Sequence, residues 1–481
     1  MDLLSMTEVR ICLLSWRGGM LCLRELEPAV WSKLEFGACE LGDKRRTRRL
    51  VRYARQMAEK PDASTPRQTE SWADCKAAYH MFEQEEVTFE AVTAAHYRRT
   101  QHMDAGTYLV ISDTTEVDYG YNSPRQGLGR LTAKKRRGFF LHSALVVQAD
   151  NRQVFGMGAQ ELFARRSKKL KRVHRVACRK RPSEAEVWGR VIDRVQPVTA
   201  GVKLIHVCDR GADNFDVFAH VQVKGDSWVI RAAQLTRKVQ HGGAVAKLSA
   251  VLDATPVLGF YQVYIAANGK QQARWAQVEV RATQVTLLRP REGSTAFVMD
   301  RNIREIPTQV VEVREVNPPK NGPAVRWVLY TGEVAATFEE ALRVIGHYEQ
   351  RPIVEEYHKC LKTGLRVEQR QYHSADRLEP VIGVICVQAV RLLQLRDVSR
   401  NSPATPAKGL VPPEWLEVIG KVLTRPRPIQ TVREFLRAVA SLGGFLCRSS
   451  DGEPGWKTIW LGLQTLLVAL RGYRAGMRKC G

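Results

Sequence analysis

Apolar positions recur along the chain with two different periods, and the switches between them divide it. From about Glu35 to His96 the spacing is helical: Asp74–Phe82 and Phe89–His96 carry apolar residues at three- and four-residue steps, with a break at Pro61–Pro66. Residues 1–34 are weakly patterned and read as a leader, with Met20 an equally good start. At Gly106 short apolar runs take over. Thr107–Thr115 and Val202–Asp209 each read as a buried strand ending in an acid, Phe139–Gln148 and Gln153–Gln160 as the strands between, and Glu184–Val195 and Asn214–Val223 as helices. That order predicts a mixed α/β domain. Trp228–Tyr330 alternates, in Phe260–Ile265, Trp275–Thr283, Gln309–Val316 and Arg326–Tyr330, and reads as an antiparallel β insert.

Helical spacing then returns. Thr337 and Glu340 form a capping box that opens a helix to about Gln350. Pro352, tolerated in a first turn, opens a second helix to about Lys362, and a third covers Leu378–Leu395. A proline-rich linker, Ser402–Pro413, precedes a last helical module. The expected divisions are a leader at 1–34, a helical domain at 35–105, an α/β core at 106–400 with its insert at about 228–335, and a linker plus helical domain at 401–481.

Composition narrows the classes. With 44% hydrophobic residues in 481, the chain has material for a large core, which excludes a disordered or fibrous protein. No apolar stretch reaches the ~20 residues of a membrane span; Val381–Val390 and Ile459–Leu470 read as buried helix, and Ile11–Trp16 is too short for a signal sequence. Ten cysteines with no CxxC pair exclude a zinc ribbon or dithiol motif and suit a reduced, cytoplasmic location.

Charge adds a partner. Lys and Arg total 74 against 50 Asp and Glu, a net +24, which points to nucleic acid before membrane. The excess is clustered. Seven cations lie between Lys44 and Arg55, and on a helix capped by Asp43 the residues Arg45, Arg48, Arg49, Arg52 and Arg55 make one basic stripe beside Leu50 and Ala54. A second cluster is Lys134–Arg137, and a third, Arg165–Arg181, holds ten cations and reads as a phosphate-tracking loop.

Three acids stand out by position. Asp113 and Asp209 end apolar strands, where a carboxylate is costly unless it has a chemical task or a turn to cap. Glu355 lies on the helix opened by Pro352; at 100° per residue Lys362, Arg366 and Lys359 fall within about 40° of it. That face suits a metal-binding acid among phosphate-holding cations, or simply a Glu355–Lys359 surface pair. The Glu355-x-x-His358 step occurs once, whereas di-iron bundles need it twice.

Tyr348–Gly364 (YEQRPIVEEYHKCLKTG) contains Y-x2-R-x3-E-x6-K, and Leu41–Thr47 (LGDKRRT), Asp113–Thr115 (DTT), Arg137–Ser143 (RGFFLHS), Val207–Asp213 (VCDRGAD), Asn317–Lys320 (NPPK), Val390–Arg396 (VRLLQLR) and Leu442–Phe445 (LGGF) occur in order around it. In these stretches the chain resembles the DDE transposases of bacterial insertion sequences, and is most similar to the Tn5 branch (the IS4 group), from about Leu34 to Gly472. The resemblance implies an RNase H-like α/β core with an antiparallel β insert, between a helical DNA-binding domain and a helical dimerisation domain. It implies Asp113, Asp209 and Glu355 as a triad holding two Mg²⁺ ions, with Mn²⁺ as substitute. Tyr348, Arg351, Lys362 and Arg231 become DNA contacts and Trp327 a base-stacking residue. The partners implied are inverted-repeat ends, target DNA and a second copy of the chain, in a bacterial nucleoid and not at a membrane. The activity implied is nicking, hairpin formation and resolution, and joining of 3′ ends to target DNA. The pattern departs at Pro352, where the branch carries a second tryptophan, and at Gln369 and Gln371, where it carries arginines. A silent DNA-binding repressor and a non-transposing nuclease are the competing expectations.

Overall fold

The computed structural model describes residues 27–165, 186–265, 272–319, 323–401, 403–408, 410–424, 428–448 and 450–477. Most of the leader and of the third basic cluster therefore lies outside the described residues.

The chain opens with five helices: α1 (Pro28–Phe36), α2 (Lys44–Glu59), α3 (Thr65–Gln68), α4 (Trp72–Met81) and α5 (Phe89–Gln101). Helix α1 corrects the expected leader boundary. Pro28 sits in its first turn, and Trp31 and Phe36 are buried in the same core as Leu50, Tyr53 and Met57 of α2. A nine-residue helix that also buries Ser32 and Glu35 leaves little apolar rhythm in the sequence.

The middle of the chain builds one 12-stranded sheet. Strands β1 (Gly106–Tyr121), β2 (Gly129–Arg130), β3 (Arg136–Gln148) and β4 (Val154–Phe163) form an antiparallel meander. Helix α6 (Glu186–Arg194) leads to β5 (Val202–Cys208), which lies parallel to β1; α7 (Phe215–Lys224) leads to β6 (Ser227–Arg231), parallel to β5. The core order is β4-β3-β1-β5-β6. Side-chain alternation sends Leu109 and Ile111 of β1 toward the large core under α5, and Tyr108 and Val110 toward α6.

The insert comprises β7 (Lys238–His241), β8 (Ala244–Lys247), α8 (Leu248–Ala254), β9 (Val257–Ile265), β10 (Arg274–Leu288), α9 (Ala296–Asp300), β11 (Glu305–Glu315) and β12 (Arg326–Thr331). Two features differ from expectation. Trp228–Arg231 belongs to the parallel core as β6, and the insert is not a separate layer, because β12 pairs antiparallel with β6 and extends the same sheet.

Helices α10 (Phe338–Tyr348) and α11 (Pro352–Lys359) follow; Thr337 and Glu340 make the reciprocal capping box, and Pro352 opens α11. Helix α12 (Ala375–Asn401) is long and apolar enough by composition to cross a membrane, but 94% of its apolar window is buried inside the protein, so it is a core helix. Its last turns, Leu395 and Val398, join the separate core of α13 (Pro413–Val422), α14 (Val432–Leu442) and α15 (Trp456–Met477). The last module thus begins on α12, ahead of the expected boundary at 401. Gly443 in the LGGF stretch is fixed by close approach: a Cβ there would lie 2.1 Å from the Thr458 carbonyl oxygen at the start of α15.

Candidate active site

Parity and register deliver two of the acids. Pairing between β1 and β5 ends at Ser112 with Cys208, so Asp113 and Asp209 are each the next residue after the last pair of adjacent strands. Asp113 is two residues past Ile111 and Asp209 two past Val207, on the face covered by α11, whose Val354 and Tyr357 share that core. Asp113 does not end its strand, as expected from the sequence. β1 continues to Tyr121, because its pairing with β3 persists after β5 has ended. Asp209 does follow its strand and also caps a 3₁₀ turn, its Oδ1 accepting from the Gly211 N–H at 2.8 Å. Asp113 uses Oδ1 in the same way, accepting from Thr114 N–H at 2.8 Å.

Helix α11 brings the third acid. Its other face is tied to the sheet: Gln160 of β4 donates to the Tyr357 hydroxyl at 3.1 Å and to Ser143 of β3 at 2.8 Å, and Ser143 pairs with Asp113. Glu356 next to Glu355 is ion-paired with buried Arg396 of α12. Arg396 is also held by Asp397, which accepts from the Val154 N–H at 2.8 Å.

Arg351, at the elbow between α10 and α11, joins all three. One guanidinium nitrogen, Nη2, lies 2.9 Å from Asp113 Oδ2 and 3.4 Å from Asp209 Oδ2, and Nη1 is bonded to Glu355 Oε1. Glu355 therefore pairs with the cation four residues before it, not with Lys359. The carboxylates are spread around this cation: among the described residues no three His, Cys, Asp or Glu side chains are gathered as they stand into a cage for a metal ion.

Burial sets the electrostatics. It pushes the Asp113 carboxyl up to about 6, Arg351 opposing and the charges of Asp209 and Glu355 adding to it. Burial holds His358 and His142 down at about 3, so both are neutral. His358 Nδ1 is 3.8 Å from Asp113 Oδ2, and a 2.7 Å hydrogen bond links His142 to the Thr114 hydroxyl.

The expected DNA contacts divide. Tyr348 and Arg231 are partners, and burial raises the Tyr348 phenol against the pull of Arg231; half-buried Trp327 lies 6.1 Å from the Tyr348 ring. These three line the ground beside Arg351. Lys362 falls outside the α-helix, in a π-helical turn at Cys360–Gly364, with Nζ 3.8 Å from Glu368; Arg366 adopts φ +50°. The 100° wheel that grouped both with Glu355 does not carry past this turn: a π turn takes an extra residue, and Arg366 lies beyond the helix.

On α2, Asp43 caps as expected, accepting from the Arg45 N–H at 2.7 Å. The stripe is only partly free. Arg49 and Arg52 both bind buried Asp74 at 2.9 and 2.6 Å, and Arg52 and Arg55 reach Glu70. Exposed Lys44, Arg45 and Arg48 have no ion-pair partner among the described residues.

The sequence did not reveal Arg351 as the hub of the acids, nor His358 and His142 beside Asp113. The signal available was the i,i+4 spacing of Arg351 and Glu355; His142 left none, since its contact with Thr114 is made across strands, and the Glu355-x-x-His358 step did not tell that His358 lies beside Asp113.

Comparison with known families bears on the two ends of the chain. Residues 28–87, which span α1 to α4, match the family described as transposase DNA-binding. Residues 385–479, from within α12 through α15, match the transposase Tn5 dimerisation domain. The acid site thus lies on the sheet between a segment that matches the transposase DNA-binding family and one that matches the transposase Tn5 dimerisation domain, a domain make-up that supports a Tn5-like transposase.

Proposed function

We propose that the chain catalyses cut-and-paste transposition, with Asp113, Asp209 and Glu355 as its DDE triad on an RNase H-like core. One observation carries this reading: three carboxylates from β1, the end of β5 and α11 converge on a single cation. The β4-β3-β1-β5-β6 order, with three antiparallel strands followed by two parallel ones, supports the core assignment.

The donor set is all carboxylate, which fits Mg²⁺ or Mn²⁺ better than zinc. Asp113 and Asp209 would hold the ions through Oδ2, since each Oδ1 is bonded to a backbone N–H, and Glu355 would complete the set. When bound, the ions supply Lewis acidity to the attacking and leaving oxygens of an in-line phosphoryl displacement.

The chain's own residues do the rest. Backbone bonds to Oδ1 fix the rotamers of both aspartates before DNA arrives. The Gln160–Tyr357 and Arg396–Glu356 ties hold α11, and with it Glu355, against the sheet. Arg231 and Tyr348 offer donors for a phosphate beside the acids, and half-buried Trp327 offers a ring on which an extruded base can stack during hairpin formation. Lys362, on its π turn with its charge felt at His358, offers a further cation for a phosphate near the acids. Lys44, Arg45 and Arg48 grip the transposon ends.

The test is product analysis. The protein is incubated with DNA carrying the inverted repeats that flank its gene, with and without Mg²⁺. Hairpin ends, excised fragments and joined products in Mg²⁺ are expected. Hydrolysis without joining would favour a nuclease, and binding without any cut a repressor.

A further inference from the structure

Every hydrogen bond and ion pair that the described residues offer the Arg351 guanidinium comes from Asp113, Asp209 or Glu355, and its Nε is buried with no partner. This side chain is thus held only by the three groups that a divalent cation would claim. It is largely buried, with 15% of the side chain exposed, where the attraction between guanidinium and carboxylate is little screened. The three carboxylates lie apart around it and do not form a cage of their own.

We propose that Arg351 is the resident counter-ion of the triad and competes with the divalent cation, so that cation loading and DNA engagement are coupled through one side chain. The inference rests on the triad reading above. Without DNA, the guanidinium satisfies three carboxylates that would otherwise repel one another around the largely buried Asp113. A cation can enter fully only when Arg351 leaves, and the acceptor suited to draw it off is a phosphate, whose oxygens match the guanidinium fork. A DNA end bound beside Tyr348 and Arg231 brings such a group close. The enzyme free of DNA is then poorly loaded, and the complete site assembles when both DNA and cation are present.

The test is Mn²⁺ binding to the full-length protein without DNA, measured by calorimetry and by the electron paramagnetic resonance of free Mn²⁺. Wild type is compared with Arg351→Gln, Arg351→Lys and Asp113→Asn, and the melting temperature of each is followed against Mn²⁺. Arg351→Gln is expected to bind roughly tenfold more tightly than wild type and to gain more from Mn²⁺ in melting temperature. Arg351→Lys, a point charge that cannot fork across the acids, is expected in between, and it carries the test should Arg351→Gln fail to fold. Asp113→Asn should remove the binding. If Asp113→Asn removes it but both Arg351 variants bind no more tightly than wild type, the counter-ion role is wrong and the triad stands. If binding is indifferent to Asp113→Asn, or absent from every protein, the triad reading fails and the inference falls with it.

Discussion

Two charged regions of this molecule differ in the sequence, and the fold reverses the contrast between them. Helix α2 carries seven cations between Lys44 and Arg55, a cluster that reads as a phosphate-docking surface. The acid site gathers single residues separated by 96 and 146 positions, at 113, 209 and 355. In the fold, the dense cluster is partly consumed by Glu70 and Asp74, while the scattered acids meet on one guanidinium. Counting charges along a chain locates where they are, but what remains free for a ligand depends on partners supplied by other elements.

The sharpest way to break this contrast is at the acids. Asp209→Asn, which keeps an oxygen for the Gly211 N–H, should lower Mg²⁺-dependent cleavage by ~10³-fold or more while DNA affinity in a gel shift stays close to wild type. A parallel loss of affinity would make Asp209 a fold residue only.

On α2 the free and the paired arginines should separate. Arg45→Ala combined with Arg48→Ala is expected to weaken end binding about tenfold and to reduce the slope of log affinity against log salt by ~2. Arg49→Ala, whose cation is already bonded to Asp74, should change the slope by less than ~1. Equal slopes would mean that Asp74 releases its arginines on the DNA.

Asp74→Asn tests the same point from the other side. Buried Asp74 accepts from Arg49, Arg52 and Ser71, so the variant should cost about 1–2 kcal/mol in a denaturant melt. It frees two arginines, and end affinity should rise, not fall.

The last concerns an acid with no such partner among the described residues. Burial, with the charges of Asp376 and Glu90 adding to it, pushes Glu379 on α12 up to about 7. A carboxyl raised in the folded state contributes stability that is complete below the ordinary carboxylate range and is lost as pH rises toward and through 7. Glu379→Gln should therefore stabilise the protein by ~1–2 kcal/mol at pH 8 and leave it unchanged near pH 4, read from thermal melts at the two pH values.

Much of this was legible because it is locally encoded. The capping box at Thr337, Pro352 opening α11, the Asp43 cap and Asp209 after its strand all follow from short-range rules. What was not legible depends on neighbours. Asp113 is mid-strand because β3 goes on pairing after β5 stops, and β6 belongs to the core because it lies beside β5. Lys362 sits in a π turn that no periodicity signals. Helix α1 hides in a weak pattern because its buried face mixes Trp31 and Phe36 with Ser32 and Glu35.

One gel tests the central claim most directly: binding and cleavage of the same inverted-repeat DNA by wild type and Glu355→Gln, in Mg²⁺ and in EDTA. Both proteins should shift the DNA, and only wild type in Mg²⁺ should cut it. A Glu355→Gln protein that cuts as well as wild type, or a wild type that binds and never cuts in Mg²⁺, would contradict the account.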